Sequence, residues 1–545
     1  MKKIKLLIIL AVITAVLCSC SPGQLASSPQ PSTPNNADDQ AIKQFSLLYS
    51  GSDPLNPYTA ASLQNRQLAY LLYDPLVRLT PEFQPEYMLA GGIEQNGKSA
   101  VITLRPAYFS DGTAVTADDV VYSYKLAMSS DTAYPTQLAE IKSFTAGSKS
   151  TINVMLSKDD PYFANLLDFP IIKSGSDKLT DSNNILLPPI GSGRYVPDLD
   201  AGVLTANDSH IAGAQSVKTI ALINAPDSEV IKYNLEAGNV SIYGTDLSDG
   251  KIPSMVGNST AVGLNNIVYV GVNTANELLS DPVMRYALSA ALDRSNICSS
   301  AYFSYATEAT GIFNPLWQDA KGLQNIEPST NTQNVVAYLN KLGYNSKDAE
   351  GFFVNDGNKT LTLSFICYGG NERRLAAARM IAEQLKTEGF KINLKELDWD
   401  GYTAALSSGN FDLYIAETKL LGNMDITELV TPGGALAFGI KEKSAEPAAD
   451  DNTTGTDGGT DTGDTPQQTE PAEPAEPEVT VADAVAGFYG GQLSLVDVLS
   501  AFNTEMPIIP ICYRSGVTVT KSYLKADNVS SVTDVYFGIQ GIMNK

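Results

Sequence analysis

At 545 residues the chain is too long for one compact core and implies two or three domains. With 43% hydrophobic and 18% charged residues it has the profile of a soluble globular protein, and a formal net charge of -23 argues against a nucleic-acid partner and against a basic membrane-binding patch. A single histidine, His210, excludes HExxH and multi-histidine metal centres, and its Asn-Asp-Ser-His run reads as a solvated surface turn.

Residues 1–19 read as an export signal. Lys2, Lys3 and Lys5 form its charged start, and the apolar run from Leu6 to Leu17 is too short to remain as a membrane span. Leu17-Cys18-Ser19-Cys20 resembles a bacterial lipobox, in which the cysteine after the small residue is acylated and becomes the new N-terminus. Cys20 is therefore the expected lipid site. Cys18 fits less well, because bulky Leu17 would stand where a small side chain is needed. Residues 20–43, rich in Ser, Pro, Asn and Gln, form a flexible tether with a mean reach of about 25 Å.

The fold starts at Phe45. Gly51 to Pro54 is a turn, and Val101 to Arg105 is a strand. Phe109-Ser110-Asp111-Gly112-Thr113 is a tight turn, after which Thr116 caps a helix with Asp118 and Asp119 in its first turn. Cys298, Cys367 and Cys512 lie far apart in apolar surroundings. Three thiols give no disulfide framework and read as buried small hydrophobes.

From Lys359 to Asp425 the pattern is strand, helix, strand, helix, strand. Leu361, Leu363 and Phe365 alternate with polar residues. Residues 371–388 put Leu375, Ala378, Ala382 and Leu385 on one helical face, and Gly389 stops the helix. Ile392 and Leu394 mark a second strand, 401–408 a short helix closed by Gly409, and 411–416 a third strand. This order predicts parallel strands with helical crossovers, and ligands on such sheets bind beyond the carboxyl ends of the strands. Three loops then face one cleft: Tyr368 to Asn371, Asp398-Trp399-Asp400, and Glu417 to Asp425. They offer aromatic faces, amides and carboxylates, but no catalytic set.

Residues 442–478 are rich in Thr, Gly, Asp, Pro and Glu and read as a disordered acidic insertion. Helix-like apolar spacing returns over 481–502, and 508–519 reads as paired strands.

Several runs resemble the bacterial extracellular solute-binding proteins of family 5, the peptide and nickel receptors of ABC importers. They are Tyr73-Asp74-Pro75-Leu76, the long run from Phe109 to Ser123, Pro189-Ile190-Gly191-Ser192-Gly193-Arg194-Tyr195, Val283 to Arg294, Leu339 to Tyr344, and Pro507 to Ile511. The resemblance implies an α/β, periplasmic-binding-protein-like fold: two lobes with mixed sheets joined by a hinge, plus a small extra domain in the first lobe. Carried onto this chain, lobe I takes 44–262 with the small domain at about 75–185, lobe II takes 263–503, and 504–545 returns to lobe I. Tyr269 to Asn273 is the expected hinge strand.

By the same resemblance Trp399 matches an aromatic of the oligopeptide-binding branch. Tyr368 and Asn371 follow a strand as ligand-side residues do in relatives, and Tyr134 stands where the first lobe carries a cleft aromatic. Trp317 reads as structural. The Trp and Asp that anchor a peptide's amino group in relatives are not both present. Asp425 sits a few residues late, and Glu417 is an equal anionic candidate. The implied role is a monomeric, lipid-anchored surface receptor that captures a short peptide for a permease and an ATPase on separate chains, with no cofactor and no catalysis. No P-loop or G-x-S-x-G run is present. Alternatives are another cargo on the same fold (a nickel chelate, haem or sugar) or a surface signalling or adhesion lipoprotein.

Overall fold

The structure is a computed structural model, and it describes residues 45–327, 329–441, 479–525, 530–531 and 533–544. The expected signal, lipid site Cys20, tether and acidic insertion 442–478 lie outside them.

The alternation expected from Lys359 onward is present. Thr362–Tyr368, Lys391–Leu397 and Leu413–Lys419 are strands, and Glu372–Glu388 and Trp399–Ser408 are the helices between them. Gly389 and Gly409 end the helices with φ of 108° and 68°, a region where a Cβ would be strained. Thr362–Tyr368 runs parallel to both other strands. One helix buries Ala377, Ala378, Ile381, Ala382 and Leu385 against one face of the sheet, and the other buries Tyr402 and Leu406 against the opposite face. The central strand is therefore covered on both sides, with Leu363, Phe365 and Cys367 in one core and Ile366 in the other.

These strands belong to a seven-stranded mixed sheet. Its order is Ile242–Thr245, Ile508–Thr520, Asn258–Val272, Leu413–Lys419, Thr362–Tyr368, Lys391–Leu397, and Ala306–Glu308 also pairs with Ile508–Thr520. Residues 508–519, expected as paired strands, form one strand buried along its whole length. Gly516 lies within it and serves close approach: a Cβ there would stand 2.6 Å from the Thr245 carbonyl oxygen. Tyr269 to Gly271 is paired on both sides, and its strand shifts register upstream, between Gly263 and Ile267 and between Val268 and Tyr269.

The first half of the chain supplies two smaller sheets. Phe45–Tyr49 pairs parallel with Thr219–Asn224, which continues into Val203–Ala206 and Tyr195–Asp198. An antiparallel sheet of Ala90–Asn96, Ser99–Leu104, Thr151–Leu156 and Ile141–Ala146 lies inside the span expected for the small domain. Ser99–Leu104 alternates exposed and buried residues, and the helix Ala117–Met128 packs on the buried side. Asp119 reaches back to the helix start, accepting from the Thr116 N–H at 2.9 Å and hydroxyl at 2.6 Å. The glycines of the Pro189 to Tyr195 run are required by contact with the helix Leu63–Leu72. A Cβ on Gly191 would meet the Leu72 oxygen at 2.0 Å, and one on Gly193 the Leu72 carbonyl carbon at 2.3 Å.

His210 departs from expectation. It is buried, not solvated: Nε2 lies 3.1 Å from Asp74 Oδ1, and Nδ1 accepts the Ala212 N–H at 3.2 Å. Its polar neighbours are satisfied within the chain, as Asn207 donates to the Gly193 oxygen at 2.9 Å. The run is a surface turn at Asp208 and Ser209, which are exposed, while its two ends, Asn207 and His210, turn inward. Ser192 also donates to Asp74, at 3.0 Å, so hydroxyl and imidazole share one carboxylate and do not form a nucleophile–base pair. Cys298, Cys367 and Cys512 are buried, as expected. Trp317 is fully buried against Phe313 and Tyr162.

Candidate functional site

The parallel strands Thr362–Tyr368 and Lys391–Leu397 end side by side, with Tyr368 paired to Leu397. The Gly369 N–H donates to the Leu397 oxygen at 2.8 Å and ties the first two loops together. Trp399 opens the helix Trp399–Ser408, whose N-cap Asp398 accepts the Gly401 N–H at 2.8 Å. The indole meets Tyr368 edge to face with ring centres 5.3 Å apart, and it remains 56% exposed. It is not a core residue. An exposed indole beside a half-buried phenol is an aromatic face open to a ligand. Asn371 lies in the same loop, but its side-chain oxygen caps the next helix by accepting the Arg374 N–H at 3.0 Å.

The two candidate anions are both engaged. Glu417 Oε1 accepts from Arg514 Nη1 at 2.6 Å and from Asn266 Nδ2 at 2.9 Å, and Arg374 Nη2 lies 3.6 Å from Oε2. Arg514 also donates to the Asp246 oxygen. This half-buried cluster links two strands, the helix Glu372–Glu388 and the loop after Ile242–Thr245. Asp425 pairs with Lys158 at 2.6 Å and accepts the Thr427 N–H at 2.8 Å. Lys158 sits just past the strand Thr151–Leu156, so this ion pair joins the first-half sheets to the third loop.

Residues around Lys158 extend that contact. Asn165 donates to the oxygens of Phe83, at 3.1 Å, and Gly422, at 2.9 Å. Buried Asp160 accepts from Asn423 Nδ2 at 2.7 Å and from the Tyr162 N–H at 2.9 Å. Burial, with the Asp425 charge added, pushes the Asp160 carboxyl up to about 6, against the pull of its hydrogen bonds and of Lys158. Tyr162 donates to Asp319 at 2.8 Å and Tyr489 to the Asn423 oxygen at 2.9 Å.

Tyr134 stands with Tyr58, ring centres 6.1 Å apart, on the first-half side. Burial, then the nearby Asp168 charge, raises its hydroxyl. The Asp168 carboxyl is itself raised by burial, while a hydrogen bond from Gln137 and the Lys419 ammonium pull it down. Lys419 ends the strand Leu413–Lys419, so the Tyr134 and Asp168 wall lies within electrostatic reach of the third loop's start.

The expected residues therefore fall into four groups: Trp399 with Tyr368 and Asn371, Glu417 among arginines, Asp425 on Lys158, and Tyr134 beside Tyr58. Lys158, Asp160, Asn165, Arg374 and Arg514 were not singled out from the sequence. Arg374 could have been, because it occupies the first turn of a helix that starts at the expected cleft. The Lys158-Asp159-Asp160-Pro161 run, a charged stop after a strand, was a weaker signal. A hollow of about 1290 Å³ lies elsewhere, among Pro282, Tyr286, Tyr338, Lys441, Thr480 and Ser500. Its lip is the two points between which residues 442–478 run, so its walls are incomplete among the described residues, and it is not taken as the ligand cleft. Among those residues no group of three or more His, Cys, Asp or Glu is placed to hold a metal, and no helix is long and apolar enough to cross a membrane.

Residues 82–420 match the family described as bacterial extracellular solute-binding proteins, family 5 middle. The oligopeptide-binding protein AppA of Bacillus subtilis (strain 168) is 25% identical over 438 residues, 75% of this chain and 78% of that one. Among solved structures, the unliganded open form of the periplasmic murein tripeptide-binding protein MppA superposes with a TM-score of 0.70 at 19% identity, over 92% of this chain and 98% of that one. A nickel ABC transporter protein from Bacillus halodurans gives 0.69 at 17% identity, over 92% and 99%. The likeness to these two structures establishes the periplasmic-binding-protein-like fold and leaves the cargo open.

Proposed function

Because this chain belongs to the bacterial extracellular solute-binding proteins of family 5, we propose that it is a lipid-anchored receptor that captures a short peptide for an ABC importer. A permease and an ATPase on separate chains would receive the cargo, and Cys20 would hold the receptor at the outer membrane face. The observation that carries the peptide reading is the similarity to an oligopeptide-binding protein along most of both chains. The exposed Trp399 and Tyr368 support it, since an aromatic wall stacks on backbone and varied side chains without strict sequence choice.

In this reading Trp399, Tyr368 and Asn371 form one wall and Tyr134 the other. Asp425 is the better partner for a ligand ammonium than Glu417. It has one lysine to give up, 37% exposed at its side chain, whereas Glu417 is held by two arginines. A ligand that touches both walls stabilises the closed clamp by its differential affinity for that state. Native mass spectrometry of the purified protein tests the cargo. The expected result is a set of co-purifying short peptides. A single non-peptide solute bound in stoichiometric amount would overturn the peptide reading.

A further inference from the structure

Two thiols meet in the core between the helix Arg294–Ser300 and the long strand Ile508–Thr520. Arg294, fully buried, pins the start of this helix to the strand: Nε donates to the Pro510 oxygen at 2.8 Å and Nη2 to Ser289 Oγ at 2.8 Å. Cys298 is one helical turn further on, about 6 Å along the axis. Cys512 is two residues further along the strand, about 6.7 Å. The helix runs in the same sense as the strand, because the chain after it reaches Ala306 beside Arg514 and turns back to Glu308 beside Cys512. The two steps therefore match, and Cys298 comes to lie over Cys512.

A register shift makes the match possible. Val268 pairs with Cys512 but Tyr269 with Pro510, leaving Ile511 as an extra residue. Ile509, Ile511 and Cys512 thus all enter the core cluster that holds Cys298. The two side chains are 3% and 0% exposed, and after burial it is Cys298 that most affects the Cys512 thiol, raising it. Cys367, in the same cluster, has Glu396 and Arg379 as its charged neighbours instead.

We propose that Cys298 and Cys512 close to a disulfide as the exported chain folds, fixing the helix to the strand that spans the large sheet. The timing and setting rest on the extracellular placement proposed above, since disulfides persist in oxidising compartments. One cysteine, as thiolate, attacks a sulfur of a small disulfide oxidant. This forms a mixed disulfide and releases one small thiol. The second cysteine attacks the protein sulfur of that mixed bond, which forms the Cys298–Cys512 bond and releases the second small thiol. Two protein thiols are oxidised and one small disulfide is reduced to two thiols. Burial raises the Cys512 thiol well above its usual range, so closure belongs to folding, before the core shuts.

The test refolds the full chain from denaturant in mixed reduced and oxidised glutathione, alkylates it in denaturant and maps its peptides. The expected result is a peptide pair joined through Cys298 and Cys512, lost on reduction, with Cys367 alkylated. Reduction should lower the thermal midpoint by about 5 °C in the parent protein and leave a Cys298→Ala, Cys512→Ala variant unchanged. Recovery of both cysteines alkylated after oxidative refolding, or linkage of either to Cys367, would overturn the proposal. If the double variant does not fold, the peptide map of the parent protein decides alone. The map does not depend on where the protein resides, so failure of the lipid-anchor reading shows separately, in membrane fractionation.

Discussion

Replacing Asp160 with asparagine should change how stability depends on pH. Asp160 is 1% exposed and its carboxyl is raised from 3.8 to about 6 by burial and by Asp425. The native state thus holds the proton to a higher pH than the unfolded chain does. Ionisation opposes folding in full above about pH 6, less so as pH falls through 6 towards 3.8, and not at all below both values. A shift of about two pKa units corresponds to about 3 kcal/mol at neutral pH, and going from pH 7.5 to 4.5 relieves about 2 kcal/mol of it. With an unfolding entropy of about 2.1 cal/mol/K per residue, this chain has about 1 kcal/mol/K, so the relief is about 2 °C in midpoint. The amide introduced by Asp160→Asn would mimic the neutral acid and accept one of the two bonds now made by Tyr162 and Asn423. Scanning calorimetry of both proteins at the two pH values gives the double difference, in which other titrating groups cancel. The parent midpoint relative to Asp160→Asn should be about 2 °C higher at pH 4.5 than at pH 7.5. An equal difference at both pH values, or one of opposite sign, would refute the assignment of a buried, proton-holding Asp160.

Three further outcomes are expected. Trp399→Ala should weaken binding of the co-purified ligand by about 1–3 kcal/mol in calorimetric titration. Its midpoint should hardly move, because the indole is 56% exposed; a large stability loss with unchanged affinity would count against a cleft wall. Cys20→Ala should release the protein from the membrane fraction and Cys18→Ala should not, as read by immunoblot of fractionated cells. Deleting residues 442–478 should leave midpoint and affinity nearly unchanged, since loop-closure entropy varies slowly with length, whereas a drop of many degrees would mean that the segment packs.

Local pattern carried the strand and helix order around the cleft well. Leu363 and Phe365 alternate with exposed Thr362 and half-buried Ser364 because only one face is buried at that end of the strand, while Phe365, Ile366 and Cys367 run on without a polar break where both faces are covered; Gly389 and Gly409 mark helix ends because only glycine takes their φ without strain. Where the same kind of pattern had two physical causes, it misled. The Asn207 to His210 run is polar for two reasons: Asp208 and Ser209 meet water, while Asn207 and His210 bond inward, His210 to Asp74. Residues 508–519 read as paired strands, yet they form one buried strand in which Gly516 admits the Thr245 oxygen. The ion pairs of the site were not legible at all. Arg514 and Glu417 are 97 positions apart, and Lys158 and Asp425 are 267 apart. No periodicity links residues that only the folded chain brings together.

Those ion pairs change what the two carboxylates can do. Freeing Glu417 would leave Arg374 and Arg514 half-buried beside each other without their counter-ion, a costly arrangement in a low-dielectric setting. Glu417 therefore belongs to the scaffold that orders the strand ends. Asp425 differs in kind: beside the N–H and hydroxyl of Thr427 it is paired with one lysine, whose side chain is 37% exposed. Under the proposed role of Asp425, an arriving ligand ammonium would exchange one cation for another, and the displaced Lys158 would be rehydrated. The net electrostatic gain from such an exchange is small. Affinity must then come from surface that becomes covered only when ligand is present, and Trp399 offers that surface. Under that proposal the receptor would discriminate weakly by charge and broadly accept what can stack, which is the behaviour that capture of short peptides of varied sequence requires.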